Sequence, residues 1–117
     1  MRFPPFVYQL PELDIPFPDT AVRSHAVRSD AGLVAFFTFL QGVELPPHSH
    51  GAQWGMVASG EITLTMDGQS KSYTSGDSYY VPPGVEHAVH VTAGTIVLDV
   101  FEEADRYPIR ERFDLAV

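Results

Sequence analysis

A chain of 117 residues with a formal net charge of −8, from 7 Lys+Arg against 15 Asp+Glu, is the size of one domain and carries no basic cluster to offset its acidity. A second core and a nucleic-acid partner are therefore not expected, since phosphate-backbone affinity comes from basic residues. The absence of cysteine removes disulfides and thiolate metal sites, so histidine and oxygen donors must do any metal work. No apolar run approaches the roughly 18 residues of a membrane span. Residues 1–10, with one Arg and two prolines, do not fit a signal peptide. A cytoplasmic location without membrane contact is the default expectation.

In chain order, Pro4, Pro5, Pro11, Pro16 and Pro18 break residues 1–20 into an extended arm. The arm carries Phe3, Phe6, Val7, Tyr8 and Phe17 and is too apolar to be a free tail. It is expected to pack along the fold or across a subunit boundary. Residues 21–117 read as a single all-β unit. Runs rich in Val, Thr, Tyr and Phe fall at 21–27, 33–40, 53–58, 61–66, 71–73, 78–81, 86–91 and 95–101. Turn signals separate them: Asp30-Ala31-Gly32, Ser59-Gly60, Asp67-Gly68, Ser75-Gly76-Asp77, Pro82-Pro83-Gly84 and Ala93-Gly94. Strands this short and regular indicate a sandwich or barrel. Only 102–112 has room for a short helical turn, and Pro108 interrupts it.

His48-Ser49-His50 is the most informative stretch. Pro46 and Pro47 argue against a helix there, so the pair is read with the strand period of two, which puts both imidazoles on one face. His87 follows a proline-glycine turn in another strand-like run. Three convergent imidazoles suit a divalent transition metal, and nickel, iron, manganese, zinc and copper are all compatible with such a set. The competing reading is three polar residues on a barrel rim.

Strand parity then places neighbours. If Gln53 shares the interior face, Gly55 and Val57 face inward too, with open volume beside Gly55, while Trp54 and Met56 face out. If His87 faces inward, so do Val89 and Val91, and His90 points away. His25 and His90 read as ordinary surface residues. The aromatics Phe36, Phe37, Phe39, Trp54, Tyr79 and Tyr80 read first as packing residues. In the last run, 95–101, Asp99 is a single acid among apolar neighbours. A carboxylate in such a place is a candidate general base or acid, against a plainer reading as a solvent-facing group or a partner of Arg106. Arg106 and Arg110 are possible bidentate anchors for a substrate carboxylate.

Two stretches carry a family resemblance. Gly42, five residues, His48-Ser49-His50, Gln53, six residues and Gly60 resemble the first cupin motif; Gly76, five residues, Pro82-Pro83-Gly84, two residues and His87 resemble the second. The resemblance implies a double-stranded β-helix, the cupin jelly-roll barrel, in a small protein that is usually a homodimer. It also implies one divalent metal held by His48, His50, Gln53 and His87 inside the barrel mouth. The sequence departs from the pattern at Gln53, where the motif has glutamate one residue further on, and at Val91, where it often has asparagine. A neutral donor at Gln53 leaves more positive charge at the site, which favours an anionic small-molecule ligand.

The run Leu98-Asp99-Val100-Phe101 resembles the uronate-ring-opening cupins of pectin and alginate breakdown. That resemblance implies a proton-transfer role for Asp99 and substrate contacts for Phe101 and, one residue off the family's spacing, Arg106. The function expected first is Lewis-acid lyase or isomerase chemistry on a uronate or keto-enol sugar acid. The alternatives are an iron-dependent dioxygenase and a cupin that binds a metabolite or metal without turnover.

Overall fold

The computed structural model describes residues 1–110. Nine strands follow one another: β1 (Val22–Ser29), β2 (Gly32–Phe39), β3 (Val43–His48), β4 (Gln53–Ser59), β5 (Glu61–Met66), β6 (Gln69–Thr74), β7 (Ser78–Val81), β8 (His87–Val91) and β9 (Ile96–Phe101). They form a five-stranded sheet in the order β1-β2-β9-β4-β7 and a four-stranded sheet in the order β3-β8-β5-β6. Every pairing is antiparallel. The fold class expected from the sequence, an all-β jelly-roll barrel, is the one observed.

Alternation builds the core. Along β2 every second residue, Leu33, Ala35, Phe37 and Phe39, is buried, and the registers carry that parity to Ser24 and Ala26 on β1 and to Val97, Asp99 and Phe101 on β9. The four-stranded sheet contributes Ile62, Leu64 and Val91 to the same interior. Gly60 takes a φ of +95° and runs against Thr95, so the turn between β4 and β5 admits only glycine there. The outer face of the larger sheet is also apolar. Val27, Val34, Val100, Trp54 and Tyr80 lie side by side across all five strands, and Trp54 stays 41% exposed.

The structure corrects the sequence reading in four places. Residues 43–48 form β3, a strand absent from the expected runs, and it ends at His48, so His50 lies in the following loop and not one strand period further on. Pro46 and Pro47 have no N–H to give to the ladder, and the register slips between Leu45 and His48, so that Leu45 lies opposite Val89 and His48 opposite His87. The 71–73 run is the centre of a six-residue strand, β6, whose polar residues were outweighed by the strand signal only at Tyr73.

The third correction concerns the arm. It is not extended throughout, because Pro5–Gln9 makes a 3-10 turn that buries Val7 and lays Phe3 on Phe36 and Tyr8 edge-on to His25. His25 is thereby only 2% exposed and is not a surface residue. Fourth, the described part of 102–112 holds no helix. Its turn is closed by Arg106 N–H to the Glu103 carbonyl at 3.2 Å, and Ile109 bridges Leu13 of the arm. Residues 111 and 112 lie outside the described chain. No helix among the described residues is long and apolar enough to cross a membrane.

Candidate metal centre

Three elements deliver the histidines to one end of the barrel. The β3 bulge turns His48 inward, the loop after it carries His50, and β8 begins at His87. The loop is held from two sides: Gly84 N–H donates to the His50 carbonyl at 2.8 Å, and Gly51 N–H donates to the Glu103 carboxylate at 2.5 Å. Ring centroids of His48 and His87 lie 4.2 Å apart and those of His50 and His87 4.7 Å apart. One ring nitrogen from each of the three falls within 4.8 Å of the others.

The same hydrogen-bond pattern repeats on all three rings. Nδ1 of His48 meets the Pro46 carbonyl at 2.8 Å, Nδ1 of His50 the Gly51 carbonyl at 2.7 Å, and Nδ1 of His87 the Val85 carbonyl at 2.9 Å. A carbonyl only accepts, so each Nδ1 carries the proton and each Nε2 keeps its lone pair. Burial lowers the pKa of His50 and His87, with the Gly51 and Val85 carbonyls working in the opposite direction. Neutral imidazoles with fixed tautomers are the form a divalent cation needs, and their carbonyl partners orient the rings. The residues present fit a metal.

Gln53 and Asp99 line the same cavity as the histidines. Gln53 Nε2 donates to Asp99 Oδ1 at 3.0 Å and the Tyr79 hydroxyl donates to the same oxygen at 2.6 Å. Asp99 thus fixes the amide's NH2 side and leaves the Gln53 carbonyl oxygen as the group available to a cation. Desolvation pushes the Asp99 pKa up to about 6, against the two hydrogen bonds, which lower it. Burial and the adjacent Asp99 hold the Tyr79 phenol well above its usual range, so it remains a donor. The open volume expected beside Gly55 is filled: a side chain there would collide with Asp99 Oδ1 and the Tyr79 ring. Glycine at this position makes room for the Asp99–Tyr79 pair rather than for a ligand.

The remaining expected site residues divide. Phe101 is buried on the cavity wall, edge-on to His50 with centroids 5.7 Å apart. Arg106 also lines the cavity, with its guanidinium over the Tyr107 ring at 4.3 Å, and it pairs with no carboxylate among the described residues. Its Nε is buried without a hydrogen-bond partner. Arg110 is not brought to the site: it makes a two-pronged pair with Asp19 at 3.1 and 3.0 Å, because the arm offers carboxylates closer than the cavity does. His90 points outward to Glu44, as parity requires.

Sequence reasoning missed three participants. Tyr79, a packing residue by its sequence context, lies opposite the strand glycine Gly55, and that pairing is the signal for its inward hydroxyl. Glu103 left no signal, since its role depends on where the chain turns after β9. Tyr107 under Arg106 was equally silent.

An antiparallel jelly roll with three inward histidines at its mouth is the class this fold and site define, a barrel equipped to hold a metal ion. The cupin domain model matches residues 35–101, more than half of the chain, and the protein belongs to the cupin family. An RmlC-like cupin from Shewanella frigidimarina NCIMB 400 superposes with a TM-score of 0.68 at 29% identity, covering 89% of this chain and 88% of that one. KdgF from Halomonas sp. gives a TM-score of 0.68 at 18% identity over 89% of this chain and 91% of that chain. A mannose-1-phosphate guanylyltransferase from Salmonella montevideo is 31% identical over 62 residues, 53% of this chain, so the likeness spans only 13% of that relative's length.

Proposed function

We propose that this cupin is a metal-dependent enzyme of the isomerase or lyase type, acting on a small acid that presents adjacent oxygens. The observation that carries the reading is the shared tautomer of His48, His50 and His87, each with Nδ1–H tied to a backbone carbonyl and Nε2 left as a donor. These residues, with the Gln53 carbonyl oxygen, would hold one divalent ion. When bound, such an ion supplies Lewis acidity toward carbonyl, hydroxyl or carboxylate oxygens.

The chain's own groups supply the rest. The unpaired Arg106 guanidinium, braced by Tyr107, binds a substrate carboxylate. Both hydrogen bonds to Asp99 end on Oδ1, so Oδ2 is the atom that takes and returns a proton. Its raised pKa suits that task near neutrality. Phe101 and Tyr107 pack edge-on to each other on the cavity wall, with centroids 5.9 Å apart.

The test is turnover by Asp99→Asn in metal-loaded protein. Loss of 100-fold or more in kcat with metal content unchanged is the expected result. Unchanged turnover would remove Asp99 from the mechanism.

A further inference from the structure

The interior of the barrel beyond the histidines has a chemistry of its own. Counting along β8 from His87, the next inward residues are Val89 and Val91, at about 3.3 Å per residue. The registers match Val89 with Leu45 and Leu64, and Val91 with Ile62. All of these line the cavity, as does Phe37. The polar side chains on the lining belong to the mouth and the level just inside it, namely the histidines and Gln53, the Asp99–Tyr79 pair and Arg106, while Tyr107 reaches further and lies edge-on to Phe37 with centroids 6.3 Å apart. Deeper than Asp99, no lining side chain among the described residues other than Tyr107 offers a hydrogen bond, and the strands' backbone groups are committed to their ladders.

A ligand entering this space therefore meets cation donors and a guanidinium at one end and hydrocarbon at the other. A hydroxyl carried into the deep part would lose its water partners and find at most one replacement, at Tyr107, which is unfavourable. The whole cavity, mouth included, offers about 60 Å³, which suits a ligand with a short body.

We infer that the ligand of this site is a small 2-oxo or 2-hydroxy acid with a short apolar body, its carboxylate at Arg106 and its second oxygen at the histidines. The inference rests on the metal-dependent reading above and narrows its substrate class. A polyhydroxylated sugar acid does not match the deep wall, since each ring carbon beyond the head would bring in a hydroxyl.

Calorimetric titration of the zinc-loaded protein tests this without relying on turnover. The probes are 2-oxopentanoate and its isostere 4-hydroxy-2-oxobutanoate, which share the head and differ in a terminal methyl against a hydroxyl, together with galacturonate. The expected result is 2-oxopentanoate binding at least tenfold tighter than either of the others, with Val89→Thr narrowing the gap between the two isosteres. Equal affinities, or tighter binding of the hydroxylated acids, would overturn the inference and leave the metal reading in place. Binding of none of the three by protein shown to hold its zinc would overturn the chelation reading and this inference together.

Discussion

Asp99 shows most directly how one residue joins stability to chemistry. It sits 6% exposed against the bare backbone of Gly55, with Tyr79 and Gln53 donating to one oxygen, and burial pushes its pKa from 3.8 to about 6. The folded state holds its proton more tightly than the unfolded chain does. The stability associated with that proton is complete below about pH 4 and is lost as pH rises through about 6. Ionised Asp99 then costs on the order of 2–3 kcal/mol. Metal-free Asp99→Asn should accordingly melt several degrees above the parent at pH 8, with the difference vanishing near pH 4, in scanning calorimetry at both pH values. At this scale the sequence was legible where parity alone decides: Gln53, Gly55, Val57, Val89 and Val91 all face the interior, while Trp54 and His90 face out. It was not legible where a partner arrives from a distant segment. The burial of His25 depends on Tyr8 folding over it, and the loss of Arg110 to the outside depends on Asp19 lying beside it.

At the scale of elements, the segment after β9 ties the histidine loop down. Glu103 accepts from Gly51 N–H, and the Gly51 carbonyl in turn accepts from His50 Nδ1, so one carboxylate steadies a ring two links away. Such outer partners commonly change metal affinity by 10–100-fold. Glu103→Ala is expected to weaken zinc binding about tenfold, with the far-ultraviolet circular dichroism unchanged, as measured by competition with a chromophoric chelator. An unaltered affinity would mean that the Gly84 to His50 bond alone holds the loop. The elements themselves were readable from short apolar alternation and glycine turns. The extent of β3 was not, because Pro46 and Pro47 exclude a helix without marking where pairing starts and stops, and the irregular register between Leu45 and His48 is what sets His48 opposite His87.

For the whole molecule, the core is built by apolar residues of both sheets and includes none of the three histidines. Binding should then add stability by mass action without refolding the chain. At free metal about 100-fold above its dissociation constant, the gain is about 2.7 kcal/mol, or roughly 10 °C in melting temperature for a domain of this size. A thermal melt with and without a chelator reads this directly, and identical melts would argue against a folded-state site. The all-β class follows from local pattern and the inward histidines from the motifs, whereas the sheet order depends on long-range pairing and the apolar depth of the cavity emerges only once Val89, Leu64 and Leu45 are seen to share a level.

The proposed chemistry requires the three histidines to hold a metal, and elemental analysis of the purified protein beside His48→Ala/His50→Ala tests that most directly. The prediction is close to one transition-metal ion per chain in the parent, natively or after reconstitution, and essentially none in the variant. Metal absent from the reconstituted parent, or retained at the same level by the variant, would contradict it.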